Sequence, residues 1–420
     1  MAIPINKTPP TIMHIDLNSC FAIIEQQANP LIRNKPVAVA AYDTPGGMVL
    51  AASYEAKALG IKLGVNVRQA RELCKGVIVL MPDPAKYRDA HRRFRRVLGN
   101  YTSDVTPKSI DEFVIDFNGS PAIRQGRALT DIGYEIKDEI KKSLGEYVTV
   151  NVGIATNRCL AKLAANLHKP DGMDVIDAAN LRETLATIEL TDLPGINVRY
   201  EARLNTAGIY TPLQFLAANG DHLKKRVFKS KVGMDWHYRL RGWEVDNVIW
   251  GRKSYGHQYA LSNKTTDRQK LSQLLMKLCE KTGRRLRGSG HTASGIRLWL
   301  SFTNHQYWAK GKDTKNQMYS TQDIYLQAQK LLNQVVMPDN VTNMSVTVYK
   351  LVPGYPEQLG LFDSLPAGQA GTRIDTKALA RAADEINDKY GEFTVMPAIM
   401  ANMDNVILDR IAWGNVKDLY

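Results

Sequence analysis

Cysteine is scarce and scattered in this chain. Cys20, Cys74, Cys159 and Cys279 form no Cys-x-x-Cys pair and no Cys/His zinc pattern, which excludes a disulfide framework and a zinc-ribbon module. The four read as buried thiols of a reducing compartment. Long apolar runs are missing too: none approaches the roughly 18 residues of a membrane span. The first residues, MAIPINKTPPTIMHIDLNS, lack a basic stretch followed by a long apolar one, so no secretion signal is expected and the expected location is the cytoplasm. Acidic charge is also in deficit, with 42 Asp and Glu against 55 Lys and Arg and a net charge of +13.

The excess of cations is local. Between Asp221 and Arg297 stand 18 Lys and Arg against 6 Asp and Glu, a net +12, so one region carries nearly all of it. Clustered Lys and Arg displace counterions from phosphates, and the expected partner is a polyanion. At 420 residues the chain is too long for one ordinary core, and several modules are expected.

Residues 12–17 read as a strand ending in an acid, Asp16, followed by a helix over 18–27. Residues 37–41 and 48–53 read as a strand pair around DTPGG, with helices from Tyr54 and Asn66, giving a small lobe after the first strand. The segment 86–101, KYRDAHRRFRRVLGNY, has helical spacing with Arg92, Arg93, Arg95 and Arg96 clustered; a solvated charged face is the plain reading. Then come a strand over 109–117 (SIDEFVIDF), a helix over 123–144, a strand over 147–154 and a helix over 157–168 that stops at Lys169-Pro170-Asp171-Gly172. The pattern predicts an α/β or α+β domain with a boundary at that breaker.

Residues 191–209, TDLPGINVRYEARLNTAGI, read as helix, Pro-Gly turn and second helix, similar to a helix-hairpin-helix whose backbone N–H groups hold a phosphate. Asn197 stands where a second glycine is usual. After a link over 244–253, residues 254–351 read as strand, basic helix, strand, helix, strand. In the middle strand Ile296, Leu298, Leu300 and Phe302 alternate with Arg297, Trp299 and Ser301, the period of a sheet with one buried face. A loop over 353–375 and an amphipathic helix over 376–389, with Leu379, Ala383 and Ile386 on one face, complete the chain.

Three carboxylates invite a chemical reading. Asp16 closes one strand and Asp111-Glu112 lie in another; hard oxygen donors of this kind suit Mg²⁺. Neighbouring residues on a strand point to opposite faces, so Asp111 and Glu112 serve one site only if the segment bends. Taken singly, acids at strand ends are ordinarily exposed caps.

The order of motifs changes that reading. DLNSCFA (16–22), SYEAKALGIKLG (53–64), SIDEF (109–113) and VGIATNRCLAKLAANLHKPDG (152–172) together resemble the Y-family translesion DNA polymerases, bacterial polymerase IV or polymerase V in type, over roughly residues 12–362. The resemblance implies a multidomain α+β fold: a palm with a mixed β-sheet over 1–26 and 86–170, small fingers over 27–85 and a helical thumb with the helix-hairpin-helix over 171–243. A linker over 244–253, a separate α/β little finger over 254–352 and a tail over 353–420 follow. It implies a template-directed polymerase that adds deoxynucleotides opposite damaged template. Such nucleotidyl transfer uses two divalent cations about 4 Å apart, Mg²⁺ with Mn²⁺ as the alternative.

Carried over by position, Asp16, Asp111 and Glu112 become the catalytic metal ligands, with the Leu17 carbonyl a further donor. Phe21 becomes a steric gate against the ribose 2′-hydroxyl, where the plain reading is a core aromatic. N–H groups around Ser19, Cys20 and Phe21 lie near a helix start suited to phosphate, and Tyr54, Lys57 and Lys169 become triphosphate contacts. Lys57 departs from the Arg of many relatives, and a point charge grips phosphate less firmly than a fork. Phe113 departs from the usual small residue and bears on packing behind the metals. Met48 and Leu50, on the strand that roofs the nascent pair, imply a more selective roof than small residues would give.

Gly195, Lys224, Lys225, Arg226 and Arg297 are the implied DNA contacts. Gln358, Leu359, Leu361 and Phe362 resemble a bacterial sliding-clamp peptide. Implied partners are primer-template DNA, deoxynucleoside triphosphates, the clamp and an accessory regulatory subunit, in a bacterial cytoplasm and on the nucleoid when active. Two other classes stay open at this point: a non-catalytic DNA-binding and clamp-recruiting factor on the same fold, and a palm-domain cyclase or signalling enzyme. The second has no need of the hairpin or the basic module.

Overall fold

The computed structural model describes residues 3–248, 251–354, 376–401 and 403. They fall into two compact units, divided between Ile249 and Trp250. Among the described residues no helix is long and apolar enough to cross a membrane.

The first unit starts with β1 (Ile12–Leu17) and α1 (Cys20–Ala28). A lobe follows, in which β2 (Val37–Ala40) pairs with antiparallel β3 (Val49–Ala52) and, beyond α2 (Tyr54–Ala58) and α3 (Val67–Leu73), with parallel β4 (Ile78–Leu80). The strand pair is where the two runs around DTPGG placed it. β4, only three residues long, is too short to carry a period. Next come α4 (Pro84–Gly99), β5 (Val105–Pro107), β6 (Glu112–Asp116), α5 (Pro121–Arg124), α6 (Leu129–Leu144), β7 (Val150–Ala155), α7 (Arg158–Leu167) and β8 (Met173–Ile176). The helix expected over 123–144 is two helices, because the chain turns through Gly126 at φ +70°, a region that favours glycine.

Strands β5-β6-β1-β7-β8 form one sheet, antiparallel except for β7 and β8. Since β8 belongs to it, the sheet continues past the breaker at residues 169–172 as far as Ile176. The sheet's two faces differ. Met13, Ile15, Leu17, Phe113 and Ile115 pack with Phe94, Ile132 and Ile136 of α4 and α6, while Ile12 and Val114 pack with Leu160, Ala161 and Ala164 of α7. Asp16, Glu112 and His14 alternate with the first set, so they lie on the α7 face.

The rest of the first unit is helical: α8 (Leu181–Ala186), α9 (Val198–Thr206), α10 (Pro212–Ala217), α11 (Gly220–His222) and α12 (Val232–Arg239). The first arm of the expected hairpin is a three-residue 3-10 turn, Leu190–Asp192. Asn197 needs no glycine conformation: at φ −108° it caps α9, its side chain accepting from the N–H groups of Arg199 and Tyr200.

In the second unit β9 (Ser254–Thr265), α13 (Arg268–Gly288), β10 (His291–Phe302), β11 (Tyr307–Met318), α14 (Thr321–Leu332) and β12 (Val341–Pro353) build a four-stranded antiparallel sheet, order β11-β10-β12-β9, with both helices on one face. Strand β11 was not expected: WAKGKDTKNQ is polar on both sides because it is an exposed edge. The terminal helix α15 (Thr376–Tyr390) lies against α13, and its acids make the contact. Leu379 and Ile386, two of the residues expected on one apolar face, are exposed.

Two of the four cysteines, Cys20 and Cys279, are buried; Cys74 and Cys159 are half-buried. The basic footprint also changes. Lys277, Lys281, Arg284 and Arg287 are engaged by residues 384–403. Arg239 pairs with Asp246, and Arg241, Arg268 and Arg285 donate to backbone carbonyls. The exposed cations concentrate instead at Lys224, Lys225, Arg226, Lys229 and Lys231.

Candidate active site

The site is built on the cut edge of the five-stranded sheet. Asp16 in β1 stands directly opposite Glu112 in β6 and Asn151 in β7. Asp111 precedes β6 in a bend, where its carbonyl accepts the Leu17 N–H at 2.9 Å. The bend answers the objection that adjacent strand residues face apart. Phe113 points the other way, stacked on His91 with ring centroids 4.7 Å apart and edge-on to Phe94, so its bulk fills the core behind the acids.

Each carboxylate has a partner. Lys169 Nζ donates to Asp16 Oδ2 at 2.6 Å, and Lys162 Nζ donates to both oxygens of Glu112 at 2.7 and 2.8 Å. The Ser109 hydroxyl donates to Asp111. Burial raises the Asp111 carboxyl to about 6, against the Ser109 hydrogen bond, and the charges of Asp16 and Glu112 add to the rise. Burial also raises Asp16, opposed by Lys169. At Glu112 burial is outweighed: the ammonium groups of Lys162 and Lys169 hold it below the usual carboxylate range. His14 would help only once charged, and burial pushes it down to about 3. Both its ring nitrogens are buried without a hydrogen-bond partner.

Lys169 is held over the edge by its loop. Asn18 Oδ1 accepts the Asp171 N–H at 3.0 Å, Asn18 Nδ2 donates to Asn151 Oδ1 at 2.9 Å, and Asn151 Nδ2 donates to the His168 carbonyl at 3.0 Å. On the other side the chain turns at Ser19, at φ 48°, into α1, whose start has no side-chain cap. A helix start favours an anion. Lys57 Nζ donates to Ser19 Oγ at 2.7 Å and lies 4.5 Å from the centre of the Tyr54 ring. Burial and the charge of Lys169 lower the Lys57 ammonium; burial and Asp16 push the Tyr54 hydroxyl up to about 12. Cys20 is buried, so only its backbone can meet a ligand.

Phe21 stacks on Tyr87 at 4.3 Å between centroids, with planes 11° apart. The Tyr87 hydroxyl donates to Glu25 at 2.8 Å, and Lys86 pairs with the same carboxylate at 2.6 Å. Met48 is exposed and Leu50 is half-buried against the first core.

Among the described residues no three acidic, His or Cys side chains form a ready cage for one ion, because the carboxylates are turned to lysines and Ser109. Their chemistry nonetheless fits a hard divalent cation, since they are oxygen donors that already draw positive charge to one edge.

Of the expected residues, Asp16, Leu17, Ser19, Cys20, Phe21, Asp111, Glu112 and Lys169 belong to this edge and the start of α1 beside it, and Tyr54 and Lys57 reach it from α2. Gly195 turns the chain at φ +105° before α9. Lys224, Lys225 and Arg226 are exposed on one turn, and Arg297 is exposed on the second unit's sheet. Gln358, Leu359, Leu361 and Phe362 lie outside the described residues. Lys162, Tyr87, His14 and the Asn18–Asn151 pair were not anticipated. Lys162 lies in the same motif, VGIATNRCLAKLAANLHKPDG, as Lys169, seven residues earlier and still within α7, and that proximity was a signal for it.

Residues 15–166 match the impB/mucB/samB family, and residues 252–361 match its C-terminal domain. The chain is 30% identical over 409 residues to DNA polymerase IV of Pelotomaculum thermopropionicum, covering 95% of this chain and 97% of that one. It is 32% identical over 398 residues to DNA polymerase IV of Moorella thermoacetica, covering 93% and 96%. Its fold is similar to that of a Y-family polymerase chimera of Dbh and Dpo4, with a TM-score of 0.69, 24% identity and coverage of 82% of this chain and 99% of the other.

Proposed function

From the premise that this chain belongs to the impB/mucB/samB family, the Y-family translesion DNA polymerases, we propose that it extends a primer 3′ end opposite damaged template at the Asp16, Asp111 and Glu112 edge. It is a DNA-directed DNA polymerase, and its family works with divalent metal ions. The observation that carries the assignment is the convergence of three carboxylates, Lys169, Lys57 and a helix start on one sheet edge.

Asp16, Asp111, Glu112 and the Leu17 carbonyl are the proposed holders of two Mg²⁺ ions, with Mn²⁺ as a substitute. Bound there, the ions would activate the primer hydroxyl and neutralise the triphosphate. The chain's own groups do the rest. Lys57, Lys169, Tyr54 and the N–H groups at Ser19, Cys20 and Phe21 bind the phosphates and offset charge on the departing pyrophosphate. Phe21 closes the space a 2′-hydroxyl would need. Palm, fingers and thumb are assigned to the first unit and the little finger to the second. Gly195, Lys224, Lys225, Arg226 and Arg297 hold the nucleic-acid backbone without reading sequence.

Primer extension by the Asp111→Ala/Glu112→Ala protein tests the assignment. A loss of at least about 10⁴-fold is expected, as when residues acting as one unit are removed; extension within tenfold of wild type overturns it. The peptide at Gln358, Leu359, Leu361 and Phe362 is proposed to bind the sliding clamp, with an accessory subunit as a further partner. The Leu361→Ala/Phe362→Ala protein is expected to keep clamp-free synthesis and lose clamp stimulation, and undiminished stimulation refutes the peptide's role.

A further inference from the structure

Lys162 has no place in the scheme above, yet it makes the closest contact with Glu112. It sits in α7, which reaches the sheet because Gly153 has no side chain: a Cβ there would lie 2.1 Å from the Ala161 carbonyl oxygen and 2.2 Å from the Ala165 nitrogen. The helix backbone therefore rests on β7, and the Lys162 side chain spans to β6, its ammonium on both Glu112 oxygens. Among the described residues Glu112 is its hydrogen-bond partner. Seven residues on, Lys169 donates to one oxygen of Asp16. The two cations have different prospects. A triphosphate offers Lys169 new acceptors in its assigned role, whereas Lys162 holds Glu112, one of the acids proposed to hold the metal ions.

An ammonium that occupies both oxygens of a carboxylate excludes a divalent ion from them, and its charge repels that ion as well. We propose that Lys162 is a positioning residue that holds Glu112 against α7 and competes with the divalent cation for it. The edge then takes up metal with primer and nucleotide rather than alone. The inference rests on the reading of Glu112 as a metal ligand.

The test is Mn²⁺ binding to the full chain without DNA or nucleotide, measured by electron paramagnetic resonance of free Mn²⁺, with melting curves in chelator to establish folding. Lys162→Met is expected to bind Mn²⁺ roughly two- to fivefold more tightly, the worth of a partly exposed ion pair. Lys162→Arg, which keeps the charge and can grip both oxygens, is expected to bind no more tightly than wild type. A merely structural lysine would weaken both variants. Glu112→Gln is expected to weaken binding, and Lys162→Met on that background to restore none of it. Unchanged or weaker binding in Lys162→Met, with Glu112→Gln still weakened, overturns the inference alone. Unaltered binding in Glu112→Gln overturns the ligand assignment beneath it.

Discussion

The edge of the first unit's sheet and the α13–α15 contact of the second unit are both places where acids meet cations, and they are built for opposite purposes. At the sheet edge the cations are lysines, each on one carboxylate and accessible, with Lys162 36% and Lys169 29% exposed. At α13 they are chiefly arginines. Arg287, 3% exposed, grips Asp384 through two nitrogens and donates also to the Tyr319 carbonyl and Thr321. Arg284 reaches Asp384, Asp388 and Glu392. Lysine is a point charge that lets go, while a buried guanidinium fork is satisfied only when every N–H is matched. The first cluster is thus suited to exchanging partners and the second to holding them.

That contrast can be broken by measurement. The largest effect separates activity from stability: the Asp111→Ala/Glu112→Ala protein, which is expected to lose extension, should melt at or above the wild-type temperature, because like charges are removed. Asp384→Ala should do the reverse. Taking from buried Arg287 the carboxylate it grips through two nitrogens, with only the more distant Glu280 left at 3.9 Å, is expected to cost about 3 kcal/mol in urea unfolding while nucleotide addition at low temperature persists. If both changes cost the same stability, the two clusters do not differ in kind.

A smaller effect is expected at Phe21. Tyr87→Leu removes the stacked ring and the tie to Glu25, so the gate loosens, and discrimination against ribonucleotides should fall about tenfold, the worth of one pocket contact; an unchanged ratio of deoxynucleotide to ribonucleotide incorporation counts against Tyr87 as the gate's support.

The smallest effect is a pH slope. The His14 pKa is lowered in the folded protein, to about 3, so below pH 6.5 the unfolded chain takes up a proton that the native chain refuses. Stability is then lost as pH falls, by roughly 1 kcal/mol per pH unit. His14→Leu should show a shallower decline in urea unfolding between pH 6.5 and the onset of acid denaturation, and an equal slope removes His14 as the cause.

Much of this was legible in the chain. Strand β1 ends where its apolar run ends, the breaker Lys169-Pro170-Asp171-Gly172 stops α7, and the carboxylates stand in motifs whose order marks the family. Those features are local, written in runs of a few residues. The strands β4 and β5 are too short for a period, and β11 is an edge whose polarity hides it. The C-terminal helix was legible as a helix, but not the side it rests on: Asp384 and Asp388 pair with Arg287 and Arg284 while Leu379 and Ile386 are exposed.

The cation excess between Asp221 and Arg297 shows the division most plainly. Sequence alone determined that the chain is basic there and that three acids accompany a family's motifs. Only the tertiary structure decided which cations remain exposed, since Lys277, Lys281, Arg284 and Arg287 are engaged by residues about a hundred positions away. It likewise turned Asp111 through a bend onto the edge with Glu112 and set Lys162 upon that acid. A residue's charge is fixed by its own chemistry, but whether that charge meets water, a carboxylate or a ligand depends on neighbours that only folding brings together.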